Sequence, residues 1–269
     1  MVADTRGRRG REKERPNQPP GEQIPVEGRR LASYEAVLTM LEEGEIEDCN
    51  LIPTGSNYTF SATVSANGSG KLAAIYKPAR GERPLWDFPR GTLHHRERAA
   101  YLASQLLGWP LIPPTVVRDG PLGAGSVQLF VPTEDRWDFN DLLRKHRRAL
   151  QEIAVFDLVA NNADRKAGHC LLGVDGRVWS IDHGLTFNAA PKLRTVLWDW
   201  SGEAIPQHLL RDMESLWGDA ARSEALRAEL APNLEQEEID GFFARLEGLL
   251  QTREFPRLDP SRNIPWPLV

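Results

Sequence analysis

The chain has 269 residues, 41% hydrophobic and 26% charged, the make-up of an ordinary soluble globular protein large enough for two lobes around a cleft. Lys and Arg total 33 against 38 Asp and Glu, a formal charge of -5 that provides no global field for DNA or an anionic membrane. A nucleic-acid partner is therefore not expected, and any membrane contact would be peripheral.

Residues 1–29, with RGRRGREKERPNQPPGEQ, are rich in Arg, Glu, Pro and Gly and without aromatics, and read as a disordered tail. Leu31, Tyr34, Val37, Leu38 and Leu41 recur at helical spacing, with Gly44 placed to end that helix. From Glu45 to Pro78 the pattern changes to β-branched and aromatic runs broken by Asn67-Gly68-Ser69-Gly70, a β-hairpin signal. A loop over 79–91 leads to a predicted helix from Leu93 to Leu107, then strands through Thr115-Val116-Val117 and Val127 to Val131. Beyond Pro132 the chain reads mainly helical: a long segment near 138–160, a small hairpin around Asp175-Gly176, and C-terminal helices. The last of these carries Ile239, Phe242, Phe243, Leu246, Leu249 and Leu250 on one face. The Pro-rich end is expected to pack through Trp266 as an irregular tail. Cys49 and Cys170 sit in unlike surroundings without metal-finger spacing, so neither a disulfide framework nor structural zinc is expected. No apolar run reaches membrane-spanning length and no leader h-region follows the N-terminus, so a cytoplasmic location is expected.

The chemistry concentrates in Asn161-Asn162-Ala163-Asp164-Arg165-Lys166-Ala167-Gly168-His169 and, after a short hairpin, Ser180-Ile181-Asp182-His183-Gly184-Leu185. A loop leaving a helix, a hairpin and Asp-x-Gly can bring Asp164 and Asp182 to one end of the hairpin, facing a cleft. Phosphoryl transfer uses such a pair, one carboxylate to orient the attacking hydroxyl and one to hold a divalent cation on the phosphates.

The segment resembles the phosphatidylinositol 3-/4-kinase-like superfamily, in particular the type II phosphatidylinositol 4-kinases and related bacterial kinases. Asn162-Ala163-Asp164-Arg165 is similar to their catalytic loop, Ile181-Asp182-His183-Gly184-Leu185 to their metal-binding turn, and Phe156-Asp157 to the helix leading into the loop. The resemblance implies an α+β, two-lobed protein-kinase-like fold with a β-rich N-terminal lobe and a mainly helical C-terminal lobe. The implied division is a tail over 1–29, a nucleotide-binding lobe over 30–131 and a catalytic lobe over 132–269. It implies ATP and Mg²⁺ as cofactors. Asp164 and Arg165 become catalytic, Asp182 a metal ligand, Lys77 the contact to the phosphates and Glu97 its ion-pair partner. Gly55, Ser56 and Asn57 occupy the phosphate-covering loop, and Gln128 and Phe130 lie in the stretch that would meet adenine. His169 stands where the family presents Asn as a second metal ligand, and imidazole suits Mn²⁺ better than Mg²⁺. Asp157 is expected to order the catalytic loop, Lys166 to face the γ-phosphate or solvent, Cys170 to fill core and His183 to act as a spacer. The segment 193–206 after Asp182 is where substrate would be met, and its Trp198 and Trp200 either form a substrate- or membrane-facing surface or pack their loop onto the helical lobe.

The implied activity is phosphotransfer from ATP to a lipid, protein or small-molecule acceptor. A pseudokinase acting as an ATP-binding scaffold, and a bacterial toxin-type Ser/Thr kinase, are the competing readings.

Overall fold

The structure is a computed structural model that describes residues 23–26, 30–53, 57–66, 70–133 and 138–268. The Arg-rich stretch through residue 22, Gly55, Ser56 and the turn Asn67-Gly68-Ser69 lie outside the described residues.

Strands β1 (Gln23–Val26) and β2 (Arg30–Ser33) form an antiparallel ladder. This corrects the predicted tail over 1–29, and the reason is local: the β-branched Ile24 and Val26 favour a strand within an otherwise polar stretch. Helix α1 (Tyr34–Glu43) follows, with the Ser33 hydroxyl accepting from Ala36 N–H as its N-cap. Gly44 ends it, and a Cβ there would meet Met40 O and Val64 at 2.6 Å.

Strands β3 (Glu45–Ile52), β4 (Thr59–Ala66), β5 (Gly70–Pro78), β6 (Thr115–Gly120) and β7 (Gly123–Leu129) form one antiparallel sheet in the order β3-β4-β5-β7-β6. Along β5 the side chains alternate. Leu72, Ala74 and Tyr76 are buried against Val37, Met40 and Leu41 of α1, while Ile75 and Lys77 point to the opposite face. That period of two is what delivers a lysine to the cleft from an apolar strand.

Helix α2 (Leu93–Leu107) ends at Gly108 in the left-handed conformation, φ 81°. Its Ala99, Ala100, Ala103 and Leu107 belong to the larger core, shared with the helical lobe. That lobe contains α3 (Phe139–Lys145), α4 (Arg147–Ala160), the hairpin β8 (Cys170–Leu172) and β9 (Val178–Ser180), then α5 (Gln207–Trp217), α6 (Ala220–Leu230) and α7 (Gln236–Thr252). The single long helix predicted near 138–160 is two, because His146 leaves helical geometry at φ -123°. Trp200 is buried beside Phe255, whereas Trp198 lies at the surface. Among the described residues no helix is long and apolar enough to cross a membrane.

Candidate active site

A cavity of about 940 Å³ opens between the sheet and the helical lobe. Its roof carries Asn57, Tyr58, Ile75 and Lys77, its back Gln128 to Val131, and its floor Asp164, Lys166, His169, Leu171, Ile181 and Asp182.

Lys77 is the hub. Its Nζ lies 2.5 Å from Glu97 Oε1 on α2 and 3.0 Å from Asp182 Oδ1. The expected pair of Lys77 and Glu97 is thus in contact. Burial alone would discharge the ammonium, but the two carboxylates outweigh it and hold the lysine firmly protonated. The effect is mutual: beside Lys77 the Asp182 carboxyl falls well below the ordinary carboxylate range despite its desolvation. Asp182 adopts φ 60°, a conformation uncommon for a non-glycine residue. The next backbone group secures it, since His183 N–H donates to Glu97 Oε2 at 2.9 Å. Glu97 therefore binds both the strand that carries Lys77 and the turn that carries Asp182.

Asp164 is held differently. Its N–H donates to Asn162 Oδ1 (2.9 Å) and its Oδ2 pairs with Lys166 Nζ at 3.0 Å. Burial pushes the Asp164 pKa up and Lys166 offsets only part of that. One carboxylate of the cleft is thereby raised and the other lowered, the split that separates a proton acceptor from a permanently ionised anchor.

His169 Nε2 faces Asp182 Oδ2 at 3.3 Å, and its Nδ1 accepts from Lys166 N–H at 3.4 Å. This hydrogen-bond pattern assigns the proton to Nε2, so the imidazole donates to Asp182. Burial lowers its pKa to about 4, keeping it neutral.

Arg165 does not line the cavity, a correction to its expected catalytic place. It is wholly buried, donating from Nε and Nη2 to Asp157 at 2.8 Å each and from Nη1 to Ile181 O at 2.9 Å. The desolvation of a guanidinium inside the core is offset by Asp157, so the residue braces the two motifs from behind. Asp157 also accepts from Asn162 Nδ2 (2.9 Å), in keeping with its expected ordering role. His183 is more than a spacer: its buried Nε2 accepts from Arg165 Nη2 (2.9 Å) and lies 3.0 Å from Ser180 Oγ. Cys170 is buried in the core, and its desolvated thiol is pushed up to about 12.

At the back of the cavity, Gln128 Nε2 is committed to Thr115 Oγ1 (2.8 Å) and Phe130 N–H to Ala73 O (3.0 Å). Asn57 Oδ1 accepts from Arg83 N–H at 2.7 Å. Arg194 lines the cavity from within the 193–206 stretch expected to meet substrate, and Ile264 and Trp266 are among the lining residues that the sequence reading did not place there. Trp266 is 89% exposed and does not pack the tail, a second correction. The C-terminal segment is anchored instead by its backbone, with Ala167 N–H donating to Leu268 O and Thr195 N–H to Asn263 O.

No protein-family model matches the sequence. The chain is 40% identical to Protein Rv2133c of Mycobacterium tuberculosis, over 85% of this chain and 94% of that protein. The chain belongs to the Rv2133c family. Among solved structures, this Rv2133c-family fold is similar to the Golgi casein kinase, with TM-score 0.54 and 15% identity over 84% of this chain and 79% of that one. It is similar also to hydra Fam20, with TM-score 0.55 and 14% identity over 80% and 87%. Identities this low establish the fold alone, and that fold is kinase-like, as expected.

Proposed function

We propose that this protein is an ATP-dependent phosphotransferase, and the observation that carries the reading is Lys77 bridged between Glu97 and Asp182 at the edge of a cavity floored by Asp164. A scaffold has no physical need for a half-buried ammonium shared by two carboxylates. A nucleotide site does, because the lysine must stay charged and fixed until phosphates take the place of Asp182 as its anionic partner.

In this reading Lys77 holds the phosphates, with Asn57 above them, and Val131 and the carbonyl of Phe130 flank the base. Asp182, fully ionised, holds the divalent cation, whose charge when bound neutralises the phosphates. Two carboxylates suit Mg²⁺ or Mn²⁺, ions that take one or two protein oxygens and complete their shell with phosphate and water. His169 serves Asp182 as a hydrogen-bond donor; ligation would need the other tautomer, which leaves Lys166 N–H unpaired. Asp164 receives the proton of the acceptor hydroxyl as the new oxygen–phosphorus bond forms, the β–γ bridge breaks and ADP leaves. Its raised pKa fits that task. The similar Golgi casein kinase has a solved structure with Mn and ADP bound, which supports the nucleotide and cation assignment. The resemblance to phosphatidylinositol kinases rests on the two motifs and leaves the acceptor class, lipid, protein or small molecule, to experiment.

A second reading, an ATP-binding scaffold without transfer, draws on one observation: among the described residues no three His, Cys, Asp or Glu side chains cluster as a metal site. Labelled ATP with Mg²⁺ or Mn²⁺, offered to protein, lipid and small-molecule fractions, separates the two. Transfer that disappears in Asp182→Asn supports the enzyme, and the labelled fraction names its acceptor class. Nucleotide binding without transfer to any fraction supports the scaffold.

A further inference from the structure

The wall of the cavity beside the catalytic loop includes two segments far apart in sequence. Arg194 follows the Asp182 turn, and its backbone is clamped to the catalytic loop on both sides of Asp164: its N–H donates to Asn162 O (2.9 Å) and its carbonyl accepts from Arg165 N–H (3.0 Å). The side chain is exposed and lines the cavity. Lys77 and Lys166, the lysines of the lining, are engaged by carboxylates. The Arg194 guanidinium has no ion-pair or hydrogen-bond partner among the described residues.

The second segment is the C-terminal one. Beside the Ala167–Leu268 and Thr195–Asn263 bonds, Asn263 Nδ2 donates to Leu193 O at 2.7 Å. Residues 263–268 are thereby fixed against the neighbours of Lys166 and Arg194, and Ile264, Trp266 and Pro267 face the same cavity. Trp266, 89% exposed, contributes almost nothing to a core, yet it is presented on an anchored backbone. A cation with a free planar fork and an aromatic face therefore share the side of the cleft next to Asp164.

We propose that Arg194 and Trp266 form the acceptor subsite and that the acceptor is a small, freely diffusing alcohol carrying its own anionic group, a phosphate or carboxylate. This inference rests on the phosphotransferase reading. Arg194 grips the anion through charge-assisted hydrogen bonds. Trp266 covers the carbon skeleton. The tether of Arg194 to both sides of Asp164 presents the acceptor hydroxyl to that carboxylate. The hydroxyl oxygen then bonds to the γ-phosphorus, the β–γ bridge breaks with release of ADP, and the hydroxyl proton passes to Asp164.

The test is calorimetric titration of the full chain, saturated with ADP and Mn²⁺, with glycerol 3-phosphate, glycerate, glycerol, and phosphatidylcholine vesicles containing phosphatidylglycerol. At least one of the two anionic probes should bind saturably and at least tenfold more tightly than glycerol. Arg194→Gln should weaken that binding at least tenfold, Arg194→Lys should recover part of it, and Trp266→Ala should weaken it too. Anion binding that is indifferent to Arg194→Gln, or absent up to millimolar probe, overturns the inference. So does Arg194-dependent binding to the vesicles alone, which assigns the residue to a lipid surface. A loss of ATP affinity in Arg194→Gln with anion binding intact assigns it to the nucleotide and is equally fatal. Failure of the unaltered protein to bind ADP with Mn²⁺ strikes the phosphotransferase reading itself and is seen before any acceptor is added.

Discussion

Replacing Arg165 by Met isolates the brace behind the site. The guanidinium is fully buried and makes two 2.8 Å bonds to Asp157, whose own side chain is also buried. Removing one member of such a pair leaves a carboxylate in the core with, among the described residues, only Asn162 Nδ2 as side-chain partner. Breaking a buried pair costs about 3–5 kcal/mol. At roughly 2–4 °C per kcal/mol for a chain of this size, melting should fall by about 6–20 °C. The double variant Asp157→Leu with Arg165→Met removes both charges and should recover most of that loss, because an apolar pair of similar volume is often as stable as the ions it replaces. Urea unfolding of the two single variants and the double variant gives the coupling directly, expected at about 3 kcal/mol. Activity should fall in every one of these variants, the double included, since Arg165 also holds Ile181 O and His183 on either side of Asp182. A single variant within about 0.5 kcal/mol of the unaltered protein, or a double variant equal to the sum of the singles, would refute the brace.

Lys77→Met should lower phosphate transfer by about 10²–10³-fold, the usual loss when one preorganised donor to the transferring group is removed, as read by initial rates at saturating ATP. Glu152, buried on α4, has its pKa raised from 4.5 to about 7 by desolvation. The folded chain binds that proton more tightly than the unfolded one, so this contribution is complete below about pH 4.5 and is lost as pH rises to about 7. It amounts to about 3 kcal/mol, and Glu152→Gln should stabilise the protein at pH 8 and flatten thermal stability between pH 5 and 7. Gly125→Ala would place a Cβ 2.5 Å from Lys77 O and 2.8 Å from Pro78 Cα. Both contacts are backbone, with no flexible side-chain end to turn aside, so β5 itself must shift, with an expected loss of about 1–3 kcal/mol by denaturation and a weakened affinity for ADP.

The legible parts of this molecule are those written locally. The bounds of α2, Leu93 to Leu107, follow from its apolar spacing and the glycine after it. Asp164 and Asp182 are readable because a loop, a hairpin and a turn lie within twenty residues and force the two to one end. Lys77 needs only the alternation along β5. The inward turn of Arg165 was not legible because Asp-Arg in sequence does not say which way each side chain turns; the partner that draws the arginine inward, Asp157, lies eight residues upstream on α4, and burial is a property of the assembled core. The same limit left Arg194 undecoded within the 193–206 stretch expected to meet substrate, and hid Trp266. Their place at the cavity comes from backbone hydrogen bonds between the catalytic loop and segments up to a hundred residues downstream, and backbone bonds leave almost no mark on side-chain pattern. A bound on the N-terminal tail was misplaced for the opposite reason, since a four-residue strand is too short to outweigh a run of Arg, Glu and Pro.

The tethering of α2 decides how this cleft can be controlled. In a kinase-like fold the bond between Lys77 and Glu97 exists only while the helix bearing Glu97 is held inward. Here that helix is pinned to the helical lobe by its neighbours. Buried Arg96 donates to Thr186 O at 2.6 Å, pairs with Glu238 and lies over Phe88, while His95 bonds Asn233. Swinging α2 outward would break the buried pair of Arg96 and Glu238, a cost of about 3–5 kcal/mol, before Glu97 moved at all. Control by displacement of α2 is therefore expensive in this protein. The C-terminal segment 263–268 is held beside the cavity by neutral hydrogen bonds, to Ala167, Leu193 and Thr195, and carries no charged side chain, so displacing it breaks no buried ion pair, and access of an acceptor past Trp266 is the step most open to regulation.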